Sequence, residues 1–258
     1  MNRIHLFEFE DLQWFPGFLR NYGTDFLQFL SNKTKMYKPI IPILEKGIIV
    51  SNTNVIIDLG SGSGGGLLWV NSQLKNRFPD LKIILTDYYP NLIAFKYIQK
   101  KVDNITYIKE SVDARKVPAN LKGFRTLFLT FHHFKPNEAR QILQNAINSN
   151  SPIGIFEGQE RSFPSLLAMI LSPITVLLCT PFIKPLTAGR FFFTYIIPIV
   201  PLFVLWDGIV SAFRTYSVKE MEQLVSELEN KEEYNWEINR IRSGPGVILY
   251  LLGTKKRM

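Results

Sequence analysis

The chain has 258 residues, 46% of them hydrophobic and 13% aromatic. This excludes a disordered polypeptide and supplies enough apolar side chain for one large domain with a substantial core. Its net charge of +8 permits attraction to anionic lipid or to an acidic small molecule. The basic residues are scattered, however, with only a short Lys255-Lys256-Arg257 run, so no nucleic-acid footprint forms. The single cysteine, Cys179, excludes a disulfide framework and a cysteine-based metal site, and no metal is expected.

The opening MNRIHLFEFEDLQWF carries acidic residues early and no unbroken apolar run, so it does not read as a signal peptide. A cytoplasmic chain is therefore expected. Residues 1–50 read as a helical, aromatic-rich extension. Phe7, Phe9, Leu12, Trp14, Phe15, Phe18 and Leu19 form an apolar stretch broken at Pro16-Gly17. Phe26, Leu27, Phe29 and Leu30 follow with helical periodicity, and Tyr37 to Ile49 reads as one more helix. This extension is expected to pack on a sheet or cover a pocket. Trp14 and Phe15 are candidate pocket walls, although core packing is the commoner use of such residues.

From Val55 the rhythm becomes strand, loop, helix, repeated. Strands are expected at Val55–Ile57, Lys82–Thr86, Ile105–Ile108, Thr126–Thr130 and Ile153–Phe156. Helices are expected at Leu67–Phe78, Asn91–Lys101 and Asn137–Asn148. Apolar strands alternating with helices imply a parallel sheet covered on both faces, in an α/β domain spanning 51–258. Ser217 and Glu220 form a capping box that opens a helix to about Glu229. Trp236–Ile241 and Val247–Leu252 then read as two strands joined through Gly244-Pro245-Gly246, closing the sheet with an antiparallel last strand.

Between the halves lies an insertion, about 162–206. Ser162 to Ile183 and Phe191 to Trp206 contain no charged residue, and Pro164, Pro173, Pro181, Pro198 and Pro201 divide them. The first stretch is long enough, at roughly 20 residues, to span a bilayer. Three readings compete: a hydrophobic lid, a hairpin dipping into one leaflet, and a spanning pair. A return to the same domain favours the lid, with membrane contact close behind. Lid and membrane contact alike point to a lipophilic substrate.

Asp58-Leu-Gly60-Ser61-Gly62-Ser-Gly64-Gly65-Gly66 sits between a strand and a helix. Glycines there permit positive φ and close approach of backbone to a ligand, and the helix start offers free N–H groups. Gly60, Gly62 and Gly65 also match the dinucleotide spacing, a weak pattern alone. Three details count against a dinucleotide. Asp58 would crowd a pyrophosphate, about fifty residues precede the loop, and Asp87 stands later than the usual acidic partner.

At these residues the chain resembles the class I S-adenosylmethionine-dependent methyltransferase family, well over Val55 to Phe156 and loosely over the final helix and strands. The resemblance implies a Rossmann-like fold with a seven-stranded, mostly parallel sheet whose last strand is antiparallel. It implies that Asp58, Gly60, Ser61, Gly62 and Gly64 wrap the methionine and ribose portions of S-adenosylmethionine. Asp87, with Tyr88 beside it, matches the residue that binds the ribose hydroxyls. Asp113 matches the acceptor of the adenine amino group, with the Val112 backbone beside the ring. Leu129-Thr130-Phe131-His132-His133-Phe134 matches the segment facing the methyl donor.

Methyl transfer needs an aligned nucleophile, excluded water and, for a hydroxyl or protonated amine, a general base. His132, His133 and Glu157 are the candidates, with His133 slightly preferred. The expected activity is methylation of a small, hydrophobic or lipid-like acceptor. The alternatives are an NAD-dependent oxidoreductase and a membrane-associated S-adenosylmethionine-binding protein without turnover. The acceptor and the oligomeric state are left open.

Overall fold

The structure, a computed structural model, describes residues 1–256; Arg257 of the terminal basic run lies outside the described residues. Seven strands form one sheet: β1 (Val55–Leu59), β2 (Lys82–Thr86), β3 (Ile105–Tyr107), β4 (Phe124–Phe128), β5 (Ile153–Glu157), β6 (Tyr234–Ser243) and β7 (Gly246–Lys255). Their order is β3-β2-β1-β4-β5-β7-β6. The first five run parallel, and β7 pairs antiparallel with both β5 and β6. The expected strand order of events along the chain therefore holds, and the hairpin turns at Gly244, whose φ is 56°.

The period-two rule of strands places alternate side chains on opposite faces. Ile57, Leu127, Ile155 and Leu251 meet Ile142, Leu143 and Ala146 of α5 (Pro136–Asn148) and Met221 and Leu224 of α10 (Val218–Ser226). Ile56, Ile83, Phe124, Phe156 and Ile248 face the other way. They pack on Leu44 and Ile48 of α2 (Ile41–Ser51), Val70 of α3 (Leu67–Leu74), and Phe95 of α4 (Leu92–Gln99). The capping box opens α10 as expected: Ser217 Oγ accepts from the Glu220 N–H, and Glu220 Oε2 accepts from the Ser217 N–H at 2.7 Å.

Most strand ends move by one to three residues, and the fourth strand shifts as a whole. The fourth strand was expected at Thr126–Thr130 but spans Phe124–Phe128. Leu129 sits at φ 49°, which ends the strand and turns the chain over the sheet edge. A bulky residue at positive φ is strained and needs a local cause. Here the carboxylate of Glu157 accepts the N–H groups of Thr130 (3.1 Å) and Phe131 (2.8 Å), pulling the turn onto β5.

The N-terminal extension forms α1 (Gly17–Thr34), which starts at the Pro16-Gly17 break and is followed by α2. The insertion folds as α6 (Phe163–Ile170), α7 (Ser172–Cys179), α8 (Ala188–Phe191) and α9 (Ile199–Arg214). Extension and insertion share a third core in which Phe15, Leu19 and Phe26 pack on Val176, Val200 and Phe203. Phe15 is thus a core residue, whereas Trp14 is exposed. Among the described residues, no single helix is long and apolar enough to cross a membrane. Two bent pairs, 163–182 with a 46° bend and 188–214 with a 77° bend, satisfy length and composition only together. The prolines supply the breaks, because each removes a helix hydrogen bond.

Candidate active site

A cavity of about 390 Å³ opens at the carboxyl ends of β1, β2 and β4. The strand order reverses between β1 and β4, and such a switch point leaves a crevice that neither flanking helix fills. The glycine loop forms its floor, with Gly60, Gly62, Gly64 and Gly65 all at positive φ. A side chain at Gly60 would meet Thr130 Cγ2 at 2.4 Å, so only glycine lets the loop lie this close to the β4 exit.

Asp87 organises the next wall. Its Oδ2 accepts the Gly62 N–H (2.6 Å), its Oδ1 accepts the Tyr89 N–H (2.7 Å), and its carbonyl accepts the Val112 N–H (2.9 Å). One aspartate thus ties the glycine loop, the β2 exit and the β3 exit together. Burial pushes its carboxyl above the ordinary value, against the pull of those N–H donors. Asp113 caps a short turn and is held by Arg115, whose Nη2 lies 2.7 Å from Asp113 Oδ2; that bond keeps the carboxyl low.

Gly60, Ser61, Gly62, Asp87, Tyr88, Val112, Asp113, Thr130 and His133 all border this cavity. Asp58, Gly64, His132 and Glu157 do not. Asp58 is buried beneath the loop, where Oδ1 accepts from Thr126 Oγ1 at 2.8 Å and its carbonyl accepts from Ser61 Oγ and Thr86 Oγ1. Its expected contact with a ligand gives way to a role in shaping the loop. His132 and Glu157 are equally enclosed and are paired through Nδ1 and Oε2 at 2.5 Å. Because Glu157 also holds the β4 turn, the pair supports the cavity wall from behind and does not line it.

Burial pushes Asp58 up to about 7. The folded state then holds a proton that the unfolded chain releases near the ordinary aspartate value. Stability should therefore fall as pH rises from about 4 to about 7 and level off above that range. In Asp58→Asn that fall should disappear. The gap between variant and parent in urea midpoint should then shift in the variant's favour across the same window. A pH-independent gap would show that Asp58 is ionised throughout.

Residues of the N-terminal extension border the cavity and bond to its glycine loop, and which of them do so was not legible in the residue pattern. Gln28 Nε2 donates to the Ser63 carbonyl (2.8 Å) and Asn32 Nδ2 to the Gly65 carbonyl (2.7 Å). Asp25 accepts from Ser63 Oγ (2.6 Å) and Asn91 Nδ2 (3.2 Å) and is ion-paired with Arg190 from α8. Glu10 and Asp11 border the cavity beside His133. His133 Nδ1 is 2.8 Å from Asp11 Oδ1 and 3.2 Å from Glu8 Oε2. Burial would lower the His133 ring, but the Glu8 and Asp11 carboxylates outweigh it and push the ring up to about 10. The four-residue spacing of Arg20, Thr24, Gln28 and Asn32 could have signalled a polar face on α1, but no motif singles it out, and Glu8, Glu10 and Asp11 precede the helix.

The sheet order, the antiparallel seventh strand and the crevice above β1 and β4 are those of the class I methyltransferase fold. No protein-family model matches the sequence, and no curated protein is similar to it. Among solved structures, human N-acetylserotonin methyltransferase in complex with SAM superposes with a TM-score of 0.52 at 13% identity, over 90% of this chain and 56% of that one. An O-methyltransferase family protein from Burkholderia thailandensis gives 0.49 at 14% identity, over 86% of this chain and 57% of that one. The chain thus spans little more than half the length of either, and likeness at this identity speaks of fold.

Proposed function

We propose that this protein binds S-adenosylmethionine and transfers its methyl group to a small lipophilic acceptor. The observation that carries this reading is the gathering, around one cavity, of the Gly60–Gly62 loop, Asp87, Asp113 with Val112, Thr130 and His133. The residues suit such a ligand. Each oxygen of Asp87 accepts one backbone N–H, and a carboxylate offers about four acceptor sites, so two stay free for ribose hydroxyls. The side chain missing at Gly60 leaves the room that a ligand lying on the loop requires. When bound, the sulfonium supplies an already activated methyl carbon. The chain's own residues then have to align an acceptor against it and exclude water. α1 closes the cavity over the loop, and of His132, His133 and Glu157 only His133 borders it.

The lipophilic acceptor is read from the insertion. Leu178 is 68% exposed, Ile196 71% and Phe163 77%, with further exposed apolar side chains between them. The face continues onto the N-terminal extension through ring contacts of Phe18 with Phe193 and Phe7 with Trp206. An apolar face of this kind on broken helices suits a shallow seat on a lipid surface, from which an acceptor enters directly.

Titration calorimetry with S-adenosylmethionine, S-adenosylhomocysteine and NAD tests the reading. We expect micromolar binding of the two sulfur ligands, weakened at least about 100-fold in Asp87→Ala, since two charge-assisted hydrogen bonds are lost. Preference for NAD, or no binding of either sulfur ligand, removes it. Methyl transfer to an acceptor carried in phosphatidylcholine vesicles then checks the acceptor class against water-soluble phenols and amines.

A further inference from the structure

We propose that Glu8, His132 and His133, completed by Asp11, form a binding site for one divalent transition-metal ion, of which Zn²⁺ fits best. The site stands on these side chains, whatever ligand the neighbouring cavity takes.

The geometry is that of a ligand set before contraction. Donor atoms of Glu8, His132 and His133 lie within 4.8 Å of one another. Glu8 Oε2 is 3.2 Å from His133 Nδ1 and 3.9 Å from His132 Nε2. Tetrahedral ligands at ordinary Zn–N and Zn–O lengths stand about 3.3 Å apart, so small side-chain shifts suffice. Asp11 Oδ1, 2.8 Å from His133 Nδ1, stands outside that group of three and would reach the fourth position by a turn of its side chain. Two imidazoles with two carboxylates favour Zn²⁺ over Mg²⁺ or Ca²⁺, which take oxygen ligands.

The surroundings are built as outer support. His132 Nδ1 is held by Glu157, which frees Nε2 to face Glu8; a ligating histidine is usually oriented by such a carboxylate. Arg214 Nη1 lies 2.5 Å from Asp11 Oδ2 and 3.2 Å from Glu8 Oε1, the oxygens turned away from the histidines. Glu8 is 1% exposed, yet its Oε1 accepts no hydrogen bond of good geometry. A buried carboxylate that meets the Arg214 guanidinium only outside hydrogen-bond geometry is costly, and a second cation on its other oxygen lowers that cost.

Charge balance points the same way. Glu8, Asp11 and Glu157 bring three negative charges to one guanidinium and two imidazoles. A divalent ion makes this group neutral with both rings as neutral donors. Protons alone would do so by making cations of two rings whose centroids are 4.3 Å apart, or by leaving a buried carboxylate protonated. Like charges at that separation in a buried site repel strongly. The ion would latch residues 8–11 of the extension to the β4 exit, where Asp11 and His133 border the cavity.

The test is Zn²⁺ binding to the full chain, measured by competition with a chromophoric chelator. One ion should bind with a dissociation constant below about 1 μM, and Glu8→Gln and His133→Gln should each weaken it at least about 100-fold. His5→Gln, which alters the third histidine of the chain, should leave it unchanged, and Mg²⁺ should not compete. Should a ligand variant fail to fold, Co²⁺ added to the parent chain gives an independent readout. Intense visible absorption indicates four-coordinate nitrogen and oxygen ligation. Binding weaker than about 10 μM, equal binding by parent and His133→Gln, or the faint spectrum of octahedral Co²⁺ overturns the proposal.

Discussion

Arg190→Ala should lower the unfolding free energy by about 3–5 kcal/mol, because it strips the partner from a buried carboxylate. Arg190 is 2% exposed and donates through Nη1 to the carbonyls of Ile183 (3.1 Å) and Pro185 (3.0 Å) while pairing with Asp25. Its loss leaves two carbonyls and Asp25 Oδ2 without their donor at the junction of α1 and α8. Truncating one partner of such a pair costs far more than the pair's net worth, since the desolvation is not recovered. Urea unfolding measures the effect. The same variant should bind S-adenosylmethionine more weakly, because Asp25 orients Ser63 in the glycine loop. A loss below about 1 kcal/mol, the size of an exposed pair, would mean that water reaches Asp25.

Gly60→Ala should abolish measurable binding of S-adenosylmethionine and also destabilise the fold. Two costs add. Alanine at φ 68° costs about 1–2 kcal/mol in backbone strain. Its methyl would also sit 2.4 Å from Thr130 Cγ2, and such overpacking costs about 1–3 kcal/mol. Relief is available only by lifting the loop, which moves the Gly62 N–H away from Asp87. Gly65→Ala is the matched control: it shares the positive φ but meets nothing within 4 Å, so only the strain remains. Calorimetry and thermal melts on both variants separate the two contributions. Equal losses in the two would assign the effect to backbone strain alone.

The parallel sheet was legible because strands buried on both faces must be apolar at nearly every position, and Ile83 to Leu85 or Ile153 to Phe156 satisfy nothing else. The glycine loop was legible because its conformation excludes other residues. The capping box at Ser217 and Glu220 and the turn at Gly244 are local in the same sense, with partners three residues apart or fewer. The end of β4 was misplaced by two residues. Its cause is Glu157, which lies 26 residues beyond Phe131 and acts only once β5 is paired beside β4.

Local chemistry therefore determined the α/β class, the strand order along the chain, the loop at Gly60 and the acidic residue at the β2 exit. Each depends on periodicity or on backbone conformation, which neighbouring residues settle among themselves. Tertiary structure alone decided which side chains reach the cavity. It hid Asp58, His132 and Glu157, kept His133, and brought Glu8, Asp11 and Asp25 to the site from an extension with no motif. The reason is physical: exposure and ion pairing depend on what packs above a residue, and here those partners are distant in sequence, 68 positions for Thr126 and Asp58 and 122 for His133 and Asp11.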